Sequence, residues 1–139
     1  MTDLQQMIMD QEGLRLKVYL DSLGIETIGV GRNLRDKGIS TDEAMILLNS
    51  DLCDALDDVR HCFSCYDSLS RPRQLVLIGL AFNLGREKLA KFVRFIGAIH
   101  RSDWNDAADE LKNSKWYTQV GTRGVIYVKM IRENTSEWI

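Results

Sequence analysis

Along the start of the chain the apolar positions Leu4, Met7 and Ile8 recur at helical spacing, with Gln11 completing the face. Thr2 or Asp3 precedes them as a cap and Gly13 follows as a stop, so a helix is predicted over 3–12. The period then changes. Leu16, Val18 and Leu20 alternate with Lys17 and Tyr19, Ser22-Leu23-Gly24 has turn chemistry, and Ile25, Thr27 and Gly29 alternate with Glu26, Ile28 and Val30. That pattern predicts a β-hairpin. Gly29 and Gly31 point to a bend or a close backbone approach in its second strand. Ser40 stands three residues before Glu43, the spacing of a capping box. Ala44, Leu47, Leu48, Leu52 and Ala55 then carry a helical face through 41–60, and Asp51, Asp54, Asp57 and Asp58 read as its solvated side.

Everything after Ser70 reads as helix. Pro72 suits a first turn, and the apolar run LVLIGLAFNLG ends at Gly85. Because LVLIGLAF is apolar all round, that helix is expected to be central and surrounded. Leu89, Phe92, Val93 and Ile96 make 87–100 a second amphipathic helix. Ser102 or Asp103 starts another through Trp104, Ala107, Ala108 and Leu111, and short helices are predicted around 115–119 and 123–133. Trp104, Trp116 and Tyr117 are read as core. The predicted fold class is α+β: one domain over 1–139, with a hairpin lobe at 13–40, a connecting helix at 41–60, and a helical bundle lobe from 1–12 and 60–139.

Composition narrows the function classes. A chain of 139 residues with 45% apolar positions can bury a cooperative core without staples, so disorder is excluded. The first residues are too polar for a secretory signal and no apolar run approaches a membrane span, which predicts a chain made in the cytoplasm without stable membrane insertion. Cys62 and Cys65 form a lone C-x-x-C, but the further ligands of a zinc site and the βα context of a redox motif are missing, so structural thiols are expected. Charge is uneven. Residues 1–67 hold six Lys/Arg against thirteen Asp/Glu, and 68–139 hold twelve against seven, consistent with the net −2. The basic half suits attraction to a polyanion, yet it lacks a dense cationic stripe or any base-reading motif, which argues against nucleic acid.

No phosphate-binding loop, dinucleotide fingerprint, zinc-protease motif or nucleophile elbow is present, and two separated histidines make a poor start for Ser-His or Cys-His chemistry. Neither cofactor nor metal is expected. Carboxylates remain. Glu12 ends the first helix, where the negative end of the macrodipole and partial burial both favour the protonated form. Asp21 sits at the hairpin turn, near backbone donors and water, where it stays ionised. One proton donor and one ionised carboxylate are what glycoside hydrolysis requires.

The string Glu12-Gly13-Leu14-Arg15-Leu16-Lys17-Val18-Tyr19-x-Asp21, followed by Gly24 and Thr27-Ile28-Gly29-Val30-Gly31, resembles the amino-terminal signature of phage-type lysozymes. Further segments resemble the same family in the same order: Thr41-Asp42-Glu43-Ala44 with Asn49-x-Asp51, Phe82-Asn83-Leu84-Gly85, and Trp104-x-x-Ala107-Ala108 with Ser114-x-Trp116-Tyr117-x-Gln119 and Arg123. The resemblance implies a lysozyme-like fold and an N-acetylmuramidase hydrolysing the β-1,4 bond between N-acetylmuramic acid and N-acetylglucosamine in peptidoglycan. Glu12 would be the general acid, with Asp21 and Thr27 holding the attacking water for inversion. Arg123 would support the catalytic glutamate from across the lobes. Phe82, Asn83, Asn33 and Glu110 would bind substrate.

The chain departs from the family pattern in places. Arg32 stands where relatives have a histidine, so a histidine-dependent ion pair is lost. The link 32–40 is short, and Asn33 and Glu110 replace other residue types. The family also implies a monomer that reaches the wall or periplasm through a holin. Two competing readings are a lytic transglycosylase, which makes an anhydro product without adding water, and a non-catalytic wall-binding module.

Overall fold

The computed structural model describes residues 1–136. Its element order is α1 (Asp3–Glu12), β1 (Arg15–Leu20), β2 (Glu26–Gly29), β3 (Arg32–Asn33), α2 (Thr41–Cys62), α3 (Arg71–Ala90), α4 (Val93–His100), α5 (Trp104–Lys112), α6 (Lys115–Val120) and α7 (Thr122–Glu133). A 3-10 turn, Tyr66–Ser68, separates α2 from α3. The strands form one antiparallel sheet in the order β1-β2-β3. This is the expected α+β fold. Contacts divide the chain into two compact units, Met1–Leu47 and Leu48–Ile139, parting within α2.

In the first unit, local chemistry sets the elements. Thr2 caps α1, its hydroxyl accepting from Gln5 N while the Gln5 side chain accepts from Thr2 N. Gly13 then ends the helix with φ 78°, a conformation a side chain would resist. β1 pairs with β2 through Arg15↔Gly29, Tyr19↔Thr27 and Leu20↔Glu26, with a register shift between Arg15 and Tyr19. β3, absent from the sequence expectation, pairs Asn33 with Thr27 and Arg32 with Ile28. Two polar residues carry no strand pattern, so only the tertiary pairing reveals them.

Contacts place α1 in the unit that holds the strands. α1 buries none of its residues, and Leu4 is 65% exposed. Thr27 is the only described residue before Leu48 that is buried.

The buried apolar residues all lie in the second unit, from Ala55 to Ile131. α5 packs against α4 and α7, and α7 also contacts α3 and α6. Phe63 stands edge-on to Phe95, and Trp116 stacks on Tyr127 with ring centres 5.5 Å apart. Arg73 is nearly buried, donating from Nε to Ile131 O (2.9 Å), with its guanidinium 3.8 Å from the Trp104 ring centre. Trp116 is buried, while Trp104 and Tyr117 are half-buried against the core. α3 is only partly enclosed: Val76, Leu77, Leu80 and Ala81 are buried, but Phe82 is 49% exposed.

The boundaries between α3 and α4 differ from expectation. Gly85 (φ 78°, ψ 170°) breaks the helical backbone where the apolar run was expected to end, and helix resumes to Ala90, within α3 as given above. The expected helix over 87–100 is split at Lys91 and Phe92, where Phe92 N donates to Leu89 O and Phe92 takes an unhelical ψ of 54°. An unbroken apolar pattern hides a break of this kind.

Candidate active site

Glu12 closes α1 and is exposed, so the partial burial expected of it is absent; the helix that carries it buries nothing. Its carboxyl lies over Gly31. A Cβ built on Gly31 would stand 3.1 Å from Glu12 Oε2 and 3.4 Å from Cδ, and Gly31 has φ +71°. The bend foreseen at Gly31 therefore makes room for the carboxyl of Glu12.

Asp21 follows β1 and organises the turn. Its Oδ1 accepts from Leu23 N (2.8 Å) and Ile25 N (2.9 Å), while its own N donates to Ile25 O (3.0 Å). Oδ2 accepts no hydrogen bond from a described residue. Thr27, on β2 and opposite Tyr19, is 3% exposed, and its hydroxyl donates to Ile25 O (2.9 Å), leaving the oxygen lone pairs as acceptors. One unit thus contains an exposed carboxyl, a carboxylate with one anchored oxygen and one open oxygen, and a hydroxyl turned into an acceptor.

The short link after β3 is held by a fork the sequence did not reveal. Arg32 donates from both terminal nitrogens to Glu43 and also to Gly38 O (3.2 Å). Glu43 simultaneously accepts from Ser40 N (2.7 Å), and Glu43 N donates to Ser40 Oγ (3.1 Å), the expected capping box. The Arg32 guanidinium first, and the Ser40 backbone next, hold the Glu43 carboxyl down to about 2. Arg32 and Glu43 therefore form an ion pair that holds down to strongly acidic pH.

The substrate-binding candidates do not share one hollow. Phe82, Asn83 and Arg123 line a depression of about 410 Å³ with Leu48, Ile78 and Tyr127. Arg123 is exposed and forms no ion pair with a described residue. Asn83 Oδ1 accepts from Trp116 Nε1 (2.9 Å), so its Nδ2 is the end left to donate. Gly79 belongs to this hollow and went unnoticed in the sequence; a Cβ there would fall 2.0 Å from the Tyr127 hydroxyl oxygen. Burial pushes the Tyr127 hydroxyl upward, against the opposing charge of Arg123.

Glu110 lies instead in a hollow with Lys91, Arg94 and Lys115. Asn33 spends both ends of its amide locally, Nδ2 donating to Asp36 Oδ2 (3.0 Å) and Oδ1 accepting from Asp36 N (2.9 Å). Asn33 is thus engaged in a turn.

Cys62 and Cys65 are half-buried free thiols against the core, and burial raises both above the usual thiol range. No group of His, Cys, Asp and Glu among the described residues could hold a metal ion. No helix among them is long and apolar enough to cross a membrane.

The phage lysozyme family model matches residues 9–132, from before Glu12 to the end of α7. The chain belongs to the phage lysozyme family. Relatives of this lysozyme-family chain include the pre-baseplate central spike protein Gp5 of Enterobacteria phage T4. It is 30% identical over 148 aligned positions, covering 86% of this chain and 26% of the spike protein. The chain thus spans about a quarter of that protein's length. Two proteins of Dictyostelium discoideum, named "Probable T4-type lysozyme 2" and "Probable T4-type lysozyme 1", are 26% and 24% identical, each over 96% of both chains.

Proposed function

We propose that this lysozyme-family chain is an N-acetylmuramidase that hydrolyses the β-1,4 bond between N-acetylmuramic acid and N-acetylglucosamine in peptidoglycan, with inversion. The observation that carries the reading is the set of groups in the first unit: the Glu12 carboxyl over Gly31, the open Oδ2 of Asp21, and the Thr27 acceptor. Glu12 donates a proton to the glycosidic oxygen as the bond to the anomeric carbon breaks. A water hydrogen-bonded to Asp21 Oδ2 and Thr27 Oγ1 attacks that carbon from the opposite face, and as its oxygen bonds to the carbon one proton passes to Asp21. Inversion needs roughly 6.5–9.5 Å between the carboxyl groups to admit this water. Two backbone donors on Oδ1 keep Asp21 from swinging toward the sugar, which favours holding water over direct attack.

Phe82 offers a ring face for the C–H side of a sugar, and Asn83 Nδ2 a donor for a hydroxyl or amide carbonyl. Arg123 is the proposed catalytic support, and Glu110 and the second Nδ2 hydrogen of Asn33, the one not given to Asp36, complete the proposed substrate contacts. The proposed route is holin-assisted release of a monomer from the cytoplasm.

The test is turbidity clearing of permeabilised Gram-negative cells by wild type and Glu12→Gln. Wild type is expected to clear them, and the variant to keep its melting temperature and lose clearing. Retained clearing by Glu12→Gln overturns the assignment, and pelleting with peptidoglycan without clearing by wild type points to a binding module. Released fragments with ordinary reducing ends are expected; anhydro-muramic ends replace hydrolysis by transglycosylation.

A further inference from the structure

Gly79 on α3 meets Tyr127 on α7, and the missing side chain is what admits the tyrosine: a Cβ on Gly79 would overlap its hydroxyl. The Tyr127 ring stacks on Trp116 with ring centres 5.5 Å apart. Trp116 in turn donates from Nε1 to Asn83 Oδ1 (2.9 Å), leaving Nδ2 as the free end of that amide. One indole thus steadies both a phenol and an amide, and both line the hollow of about 410 Å³.

The mechanism makes no use of the phenol. A half-buried tyrosine hydroxyl ordinarily finds a partner. That of Tyr127 has none among the described residues, although burial keeps it protonated past neutral pH and able to donate. The remaining surroundings are of two kinds. Leu48, Leu52 and Ile78 supply an aliphatic wall, and Arg123 brings a guanidinium that forms no ion pair with a described residue.

Two neutral donors beside an aliphatic wall complement a small group that carries an acceptor oxygen next to a methyl. An acetamido group has that form: its carbonyl accepts from the amide and the phenol while its methyl covers Leu48, Leu52 and Ile78. A free amine does not. As an ammonium it meets the Asn83 N–H and the Arg123 charge where it needs acceptors and an opposite charge. A bare sugar hydroxyl leaves the aliphatic wall wet.

We propose that Tyr127 and Asn83 together seat the N-acetyl group of a hexosamine, so that the chain selects acetylated over de-N-acetylated glycan, with Gly79 keeping room for the phenol. The inference rests on the muramidase reading and adds which substituent of the sugar is read and which further residue reads it.

The test measures binding of N-acetylated muramyl oligosaccharides, and of the same oligosaccharides after chemical de-N-acetylation, to Glu12→Gln protein, which is expected to hold glycans without turnover. The acetylated form is expected to bind about tenfold more tightly, as two lost hydrogen bonds imply. Adding Tyr127→Phe keeps the ring and its stack on Trp116 and removes only the oxygen. The ratio of affinities is then expected to fall about three- to tenfold, the worth of one hydrogen bond, with the melting temperature held. Gly79→Ala, which pushes the phenol aside without removing it, is expected to lower the ratio as well. An unchanged ratio in Tyr127→Phe, an equal fall for both glycans, or tighter binding of the amine form by the Tyr127 protein overturns the proposal. Wild-type cleavage of the acetylated glycan separates the two levels. Cleavage with an unchanged ratio sinks this proposal alone, whereas no cleavage sinks the muramidase reading and this proposal with it.

Discussion

Replacing Gly31 by alanine tests whether the empty space above that glycine serves the carboxyl of Glu12. Gly29 is the control, because both have φ +71° yet a Cβ on Gly29 meets nothing within 4 Å. Left-handed backbone costs a non-glycine residue about 1–2 kcal/mol, and alanine regains about 0.4–1 kcal/mol by stiffening the unfolded chain. Each variant is therefore expected to lose about 1 kcal/mol, or about 3–5 °C in melting temperature. At Gly31 the new methyl also stands 3.1 Å from Glu12 Oε2, so the carboxyl must move by a few tenths of an ångström. The end of an exposed glutamate gives way cheaply, so stability should not distinguish the two variants. Catalysis should. A misplacement of 1 Å costs about 100-fold, so a few tenths correspond to about three- to tenfold in kcat, seen with Gly31→Ala and not with Gly29→Ala. Thermal melts followed by circular dichroism, and initial rates on soluble peptidoglycan, give both numbers. Equal kcat values for the two variants would refute the idea that Gly31 clears space for the acid.

The Glu43 carboxyl, held at about 2 by Arg32, contributes stability that is fully present above the ordinary glutamate range and is lost as pH falls from about 4.5 toward 2. Glu43→Gln should therefore lower the melting temperature at pH 6 and make little difference near pH 2, and a gap independent of pH would contradict the pairing. Gly79→Ala drives a methyl into the Tyr127 hydroxyl and should cost about 1–3 kcal/mol in denaturant unfolding; Tyr127→Phe should recover part of this, since the ring carbon at 2.7 Å still obstructs. Burial raises the Cys62 and Cys65 thiols while Cys53 is exposed, so iodoacetamide at pH 8 should label Cys53 first, as peptide mapping would show. Faster labelling of Cys62 or Cys65 would undo their reading as structural thiols.

Features governed by near neighbours in sequence were legible. Ser40 with Glu43 formed its capping box, Thr2 capped α1, and the alternation from Leu16 to Ile28 produced β1 and β2. The break at Gly85 falls where the sequence put it, but the one at Phe92 was missed because amphipathic spacing runs on through Phe92, Val93 and Ile96 while the backbone does not. The Arg32 fork joins residues eleven apart through a turn with no periodic signal, and β3 exists only as a pairing to β2. Among the site residues, the roles of Asp21 and Thr27 in the turn follow from a carboxylate and a hydroxyl beside free backbone groups. The engagement of Asn33 with Asp36 had a readable signal in its three-residue spacing. The separation of Glu110 from Phe82 and Asn83 had none, because it depends on how α5 packs.

Thr27 being the lone buried side chain before Leu48 has a consequence for how this lysozyme tolerates change. The segment that bears Glu12 and Asp21 has no oily interior to lose, so its order is written in turns, caps and two arginine pairs, Arg32 with Glu43 and Arg35 with Glu26. Mutational damage there should register first as lost turnover, with only a few degrees lost in melting temperature. The same number of substitutions among Leu77, Leu80 and Ile131 should register as lost protein.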